Sequence, residues 1–516
     1  MVSITVYDGG DTIGGNKIFV EDGAGVFLDF GMNFAKHGVF FQEFLSERGA
    51  RGIHDLAHLG LIPKLSIYRS DLIPSDVELS QYEKLNVKAI LLSHAHLDHC
   101  GNIGLLQETL PVVASGISVS ILKAIRDSSS FSGIGSEISY FSKKYPIGGS
   151  AGLVLESDRS VPYVSRDFYC PEEIPDELRI FHGRRPGQDS KGAKRIRPGK
   201  LDQLDQLDLP FELKAYDVDH SIPGAMAYVL EGDTTIAYTG DIRLHGEKAK
   251  LTENFITNAK NASILIIEGT RASRDEHSNV TENDVFNNCL QAVEESKKLT
   301  VADFSPKNFE RLYTFARIAE KTGRELVVTA KDAYLLHAIS CVEGNCPIDK
   351  GDMLIYTELK NRTKNKWESE IVAEKWQNYY VSHKQIADNS GGYILCFSLF
   401  DMKHLLDIKP DGGTYVYSSS EAHSEEQDID FVRLGQWLDF FKMKPCGFSI
   451  MTKDGAPRPE FTKGYHASGH ASVDDLEHVI SEIDPDVIIP VHTENPTWFS
   501  KFEETVVPEE GKRYAF

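Results

Sequence analysis

The run Val87-Lys88-Ala89-Ile90-Leu91-Leu92 ends abruptly in Ser93-His94-Ala95-His96-Leu97-Asp98-His99. Its first half is apolar and β-prone and reads as a buried strand. Such a strand delivers whatever follows it to the edge of a core, where a turn can splay the side chains. Here they are imidazoles and a carboxylate, the donors that suit zinc and similar divalent ions. His94 and His96 alternate, so they share one face of an extended backbone. Asp98 and His99 fall on the turn into Gly101-Asn102-Ile103-Gly104, which reads as a helix start. Two ligand pairs at this spacing can hold two metal ions side by side.

This stretch resembles the H-x-H-x-D-H signature of the metallo-β-lactamase fold. The resemblance implies an α/β chain built on an αββα sandwich. It covers lactamases, glyoxalase-type thioesterases, nucleases and some oxygen-handling enzymes, so the choice rests with the remaining sequence.

The 516 residues exceed one ordinary domain. No run is long or apolar enough to span a membrane, and Met1 to Tyr7 reads as a strand, not a signal peptide. Seven cysteines, an odd and scattered set, suit a reducing cytosol and a cytoplasmic protein. Cys341 and Cys346 read as ordinary core or loop residues. A net charge of −22 argues against coating nucleic acid with the whole surface. It leaves room for a nuclease with a local basic groove.

The chain opens with three short strands, Ile4–Tyr7, Asn16–Val20 and Gly25–Asp29. Asp29 closes the third and is expected to accept hydrogen bonds from the backbone of the metal loop without touching metal. His54 and His58 imitate a helical zinc pair, but Asp55 stands where the general base would be Glu, so the pair reads as a decoy. Residues 128–212 form a long insertion rich in Ser, Gly and Pro. Within it Arg179, Arg184, Arg185, Lys191, Lys194, Arg195, Arg197 and Lys200 crowd together with few acids. That cluster is either a solvated loop or a phosphate-contacting flap.

Further on, Glu212 to Asp219 reads as a strand that ends in His220, and a hairpin ends in Gly240-Asp241. In this order they resemble the third and fourth metallo-β-lactamase motifs, which implies that His220 completes one metal's shell and Asp241 bridges both. From about 266 to 445 strands and helices alternate, predicting a parallel sheet covered by helices. A last part carries His466-Ala467-Ser468-Gly469-His470-Ala471, a helix, and a strand ending in His492. The expected division is thus 1–265 and 446–516 for the metal-binding domain, with 266–445 inserted.

Glu268, the Ser468-Gly469-His470-Ala471 run and the strand ending in His492 resemble motifs A, B and C of the β-CASP nucleases. The phrasing is closest to the ribonuclease J branch and its archaeal relatives. That resemblance implies a metallo-β-lactamase domain carrying an inserted β-CASP domain, and a histidine at 492 goes with RNA. Thr493 stands where that branch usually has Gly, and the chain ends soon after His492, so the C-terminal domain of many bacterial members is expected to be absent. These departures leave the oligomer geometry and the balance of exonuclease and endonuclease open.

The resemblance implies two-metal hydrolysis of RNA, with two Zn2+, or Mn2+ or Mg2+ in their place. His94, His96 and His220 would hold one ion, Asp98, His99 and His492 the other, with Asp241 between. Asp98 would also orient the attacking water. His470 would be the general acid, held by Glu268. His466, Ser468 and the serines around Ser419 could form a pocket for a terminal 5′-phosphate, and Arg271 and Arg274 could contact the RNA backbone. The expected assembly is a homodimer or higher homo-oligomer. The rival readings are a small-molecule metallo-hydrolase, a tRNA 3′-end endonuclease of the same fold and a non-catalytic RNA-processing scaffold.

Overall fold

The computed structural model describes residues 1–516 except 43, 130–136, 273–278, 362–364, 421–424 and 454. Two compact units divide the chain. The first holds Met1–Leu244, Lys248–His277 and His470–Phe516, and the second holds His245–Glu247 and Ser278–Gly469.

Two sheets face each other in the first unit. An eight-stranded sheet runs in the order Leu201–Gln203, Phe168–Cys170, Val112–Val113, Val87–Leu91, Ala24–Leu28, Lys17–Asp22, Ser3–Asp8, Arg513–Ala515. A five-stranded sheet runs Glu212–Asp217, Met226–Glu231, Ile236–Tyr238, Ile264–Glu268, Val487–Val491. Val6, Val20, Leu28 and Leu91 of one meet Tyr228, Tyr238, Ile266 and Val491 of the other in a shared core. The outer face of the smaller sheet packs on helices Ala249–Asn258 and Val473–Ile483 through Phe255, Leu265, Ile267, Leu476 and Val479. Val87–Leu91 lies inside its sheet between Ala24–Leu28 and Val112–Val113, parallel to both. Ala89, Ile90 and Leu91 are buried, which is why this strand reads as an unbroken apolar run.

The second unit is a seven-stranded sheet whose every pairing is parallel, in the order Tyr380–Val381, Leu354–Tyr356, Glu325–Val328, Tyr393–Cys396, Leu299–Asp303, Gly413–Tyr417, Met443–Cys446. Its crossover helices start where local chemistry dictates. Thr281 and Asp284 close a reciprocal capping box on Glu282–Glu295, and Gly323, at φ +64°, ends Phe309–Thr322 in the left-handed region. Residues 368–379 form a π-turn over Glu368–Val372, a short α-helix over Ala373–Trp376 and a 3₁₀ turn over Gln377–Tyr379.

The division falls later than expected at both ends. Ile264–Glu268 belongs to the first unit because it is sandwiched between Ile236–Tyr238 and Val487–Val491 in the five-stranded sheet. The hairpin of Phe448–Lys453 and Ala456–Phe461 belongs to the second because Phe448 and Phe461 pack on Phe431 and Tyr417. Among the described residues no helix is long and apolar enough to cross a membrane.

Asp303 ends Leu299–Asp303, an interior strand of the second unit's sheet. Burial, opposed by a hydrogen bond from Tyr415 and reinforced by Asp401, pushes its carboxyl up to about 7. The unfolded chain releases that proton first, so stability contributed below about pH 4 is lost as the pH rises through about 7. Asp303→Asn, which keeps an acceptor for Tyr415, is therefore expected to gain about 1–3 kcal/mol on wild type across that window and to hold the gain above it. Urea unfolding at several pH values checks this, and parallel stability curves would refute it.

Candidate metal centre

The metal loop begins where Val87–Leu91 leaves the sheet, and three further segments of the first unit bring side chains to it. His94 Nε2 lies 3.0 Å from His96 Nδ1, and His220 Nε2 lies 3.3 Å from the same His96 atom. His99 Nε2 is 3.1 Å from Asp241 Oδ2, and His492 Nε2 is 3.3 Å from Asp98 Oδ2. Asp241 Oδ2 is also 3.7 Å from His94, 3.8 Å from His220 and 3.8 Å from His492. Among the described residues His94–His96–His220, Asp98–His99–His492 and His94–His99–Asp241 each bring donor atoms within 4.8 Å of one another.

This donor set fits divalent ions. Ligand atoms about 2.0–2.2 Å from a common tetrahedral centre stand roughly 3.3 Å apart, which is the spacing seen here. His99 Nε2 and Asp241 Oδ1 are buried and make no hydrogen bond. A buried donor or acceptor left so costs about 1–3 kcal/mol, and a cation removes that cost. Burial opposes charge on Asp241, yet the surrounding imidazoles of His492, His99 and His470 hold its carboxyl well below the usual range.

Neighbouring side chains fix the rings. Asp29 is fully buried. It accepts the Ser93 N–H at 2.7 Å and the Ser93 and Tyr238 hydroxyls at 2.8 and 2.6 Å, and its carboxylate lies 2.7 Å from His99 Nδ1. With Nδ1 engaged, His99 turns Nε2 to the cluster. Thr270 Oγ1 does the same for His492 Nδ1 at 2.8 Å. Asp29 and His492 both have positive φ, 59° and 52°, strain that tertiary contacts must offset.

Two glycines are required by space. A Cβ on Gly31 would lie 1.6 Å from the Asp98 carbonyl oxygen, and one on Gly14, at φ +81°, would lie 2.7 Å from the Asp98 Cβ. The loop carrying Gly14 also joins two candidate ligands. Gly15 N–H donates to the Asp98 carbonyl at 2.9 Å, and the His492 N–H donates to Gly9 at 2.6 Å. Lys17, at 0% exposure, pins this loop from beneath through Asp8 Oδ2 and the Gly15 carbonyl, both at 3.1 Å. Burial lowers the Lys17 pKa, and Asp8 opposes that.

Glu268 is buried at the end of its strand. Its carboxylate accepts the Ile242 N–H at 2.9 Å and the Thr270 N–H at 3.3 Å, and it lies 3.0 Å from His470 Nδ1. The His470 ring is 23% exposed. Burial disfavours its charge, but Glu268 and then Asp241 raise its pKa to about 9.

Arg271 is 5% exposed, with its guanidinium 3.4 Å from the His470 carbonyl. Arg274 lies outside the described residues. His466, Ser468 and Ser419 belong to the second unit and are half-buried. There His245 Nε2 lies 3.0 Å from the Ser468 carbonyl, and it is Ser418, not Ser419, that is buried against Arg311. His54 and His58 stack with ring centroids 5.5 Å apart, His54 sits 3.0 Å from Asp55, and neither joins a metal-capable group among the described residues. Ser93, Thr270, Tyr238, Asp8 and Lys17 escaped the sequence reading. Only the Gly-rich run 9–15, dense enough to demand a close backbone approach, hinted at one of their roles.

Replacing Lys17 by Met strips the buried Asp8 of its closest-buried cation, leaving Lys36 at 3.0 Å. A loss of about 3 kcal/mol in urea unfolding is expected, and a change under about 0.5 kcal/mol would show that the pair does not hold the loop.

A profile of the metallo-beta-lactamase superfamily matches residues 69–137. The chain is 23% identical to ribonuclease J of Sinorhizobium meliloti over 443 residues, which is 82% of this chain and 61% of that protein. It is 23% identical to ribonuclease J of Thermus thermophilus over 64% of this chain and 55% of that one. Integrator complex subunit 11 of Danio rerio is 24% identical over 42% of this chain and 30% of its own length. This chain therefore spans about three fifths or less of these relatives. The crystal structure of a protein of unknown function from Enterococcus faecalis V583 shares the fold over 100% of both chains, with a TM-score of 0.68 and 21% identity. The αββα sandwich with its inserted parallel-sheet unit, the His/Asp cluster and these relatives agree: the chain resembles the metallo-β-lactamase proteins, with the family's profile matched over residues 69–137, and among them the β-CASP ribonucleases of the ribonuclease J type.

Proposed function

We propose that this protein is a two-metal ribonuclease that hydrolyses RNA phosphodiester bonds. In this reading it degrades RNA from the 5′ end, with endonucleolytic cleavage as a further capacity, and serves RNA processing and decay in the cytoplasm as a homodimer or higher homo-oligomer. The observation that carries the reading is the Glu268–His470 pair, 3.0 Å apart beside the histidine and aspartate cluster. A hydrolase of small activated substrates has no need of such a proton donor, whereas a phosphodiester has a poor leaving group. The ribonuclease J relatives support RNA as the substrate.

His94, His96 and His220 would hold one ion, and Asp98, His99 and His492 would hold a second, with Asp241 placed beside both sets. Zinc suits this mixture of imidazole and carboxylate, with Mn2+ or Mg2+ as alternatives. Ions bound there supply Lewis acidity that activates water near neutral pH and neutralises charge on the phosphoryl oxygens. Asp98 orients the attacking water. Glu268 fixes the His470 ring through Nδ1 and keeps it protonated, so that Nε2 can give its proton to the departing 3′-oxygen. Ser468, His466 and Ser419 line the binding site for a terminal 5′-phosphate. Arg271 braces the His470 backbone.

End-labelled RNAs bearing a 5′-monophosphate, triphosphate or hydroxyl test this reading. Wild type should release mononucleotides from the 5′ end, chelation should abolish cleavage, and added zinc or manganese should restore it. His470→Ala should lower kcat by roughly 10²- to 10⁴-fold while metal content and KM stay near wild type. Cleavage of thioesters without cleavage of RNA, or full activity in the variant, would contradict the assignment.

A further inference from the structure

The insertion between the metal loop and the strand leading to His220 carries the basic cluster of residues 179–200. The structure divides that cluster in two. Four of its cations are used internally. Arg179 donates to the Leu201 carbonyl and Arg184 pairs with Asp189. Arg185 donates to the Lys194 carbonyl at 3.1 Å and covers the Tyr163 ring. Lys194 reaches Ser142 Oγ at 2.9 Å and the Asp158 carbonyl at 3.0 Å. The other four, Lys191, Arg195, Arg197 and Lys200, are exposed, and among the described residues none has an ion-pair partner.

These four follow one another along one anchored stretch of chain, with Lys191 before and Lys200 after the pair Arg195 and Arg197. Arg195 and Arg197 flank the buried Ile196, so both point to solvent, about 7 Å apart along the strand. Ile196–Arg197 is the outer strand of a three-stranded sheet and pairs on one side with Tyr163–Ser165. The Arg195 carbonyl accepts the Tyr163 N–H at 2.8 Å, the Lys200 carbonyl accepts the Phe168 N–H at 3.0 Å, and the Lys200 N–H donates to Asp167 at 2.8 Å. The chain is anchored while the charged ends extend. Unpaired like charges in one row repel one another and contribute nothing to folding.

The row lies away from the metal cluster. Leu201 is in register with Phe168, Phe168 with Val112, and Val112 with Ile90, all in parallel strands. Lys200 is therefore level with Ala89, midway along Val87–Leu91, whereas His94 lies beyond that strand's end. Five residues of extended chain separate the two levels by roughly 15 Å.

We propose that Lys191, Arg195, Arg197 and Lys200 form an exosite for the sugar-phosphate backbone of single-stranded RNA. The inference rests on the ribonuclease reading above. An extended row at an open sheet edge suits a linear polyanion, because a small anion needs donors that converge. Guanidinium forks pair with phosphate oxygens two at a time. RNA held here is several nucleotides from the scissile bond, so the site acts on long substrates and not on short ones.

The test uses the full chain loaded with its metal and the triple variant Arg195→Glu/Arg197→Glu/Lys200→Glu. Surface changes of this kind leave the fold intact. KM and kcat are measured on single-stranded RNAs of about 24 and about 4 nucleotides. The expected result is a KM on the long RNA raised about tenfold or more, with kcat unchanged and the short RNA unaffected. The slope of log binding constant against log salt should shrink by about 2, at roughly 0.7 per phosphate contact. An unchanged KM on long RNA overturns the proposal, and so does an equal rise on both lengths. An unchanged KM with loss of self-association in sedimentation overturns it too, by making the row an interface between copies. Wild type that cleaves neither RNA sinks the ribonuclease reading itself, a distinguishable failure.

Discussion

The Asp29 carboxylate is the joint on which the first unit depends. It stands at the end of Ala24–Leu28 in the larger sheet, receives the Tyr238 hydroxyl from the smaller sheet, and holds Ser93 and His99 of the metal loop. One buried group thus ties both layers of the sandwich to the ring that faces the cluster. A buried carboxylate is tolerable only when its lone pairs are met, and here the four contacts do so. Positive φ at Asp29 is the cost of aiming it there.

The cluster it supports is poor at holding itself together. Three imidazole nitrogens converge within 3.3 Å steps, and His99 Nε2 and Asp241 Oδ1 are left without hydrogen bonds. Such an arrangement makes sense as a ligand set that a cation completes. The surrounding scaffold keeps it assembled: Gly14 and Gly31 allow backbone to touch Asp98, the Lys17–Asp8 pair pins the loop that grips Asp98 and His492, and Thr270 turns the His492 ring.

Much of the fold was legible because its signals are local. The apolar run 87–92, the Thr281–Asp284 capping box and the glycine at 323 each specify an element from a few neighbouring residues. Elements that depend on distant partners were not legible. Met443–Cys446 and Ala456–Phe461 contain Pro and charge that argue against strands, yet each finds an edge position where that is allowed. Arg513–Ala515 is a strand only because Ser3–Asp8 offers it an edge. The candidate ligands stood out as rare residue types at strand ends. Ser93, Thr270, Tyr238 and Lys17 did not, since their residue types are common and their roles arise only when segments far apart in sequence meet.

The proposed two-ion centre of the first unit would be built from His94, His96, Asp98, His99, His220, Asp241 and His492, which the structure gathers into metal-capable groups. The most direct measurement is an anomalous-difference map from crystals grown with zinc or manganese. Two peaks are expected, one among His94, His96 and His220 and one among Asp98, His99 and His492, with Asp241 reaching both. A single peak, or peaks away from these residues, would contradict it.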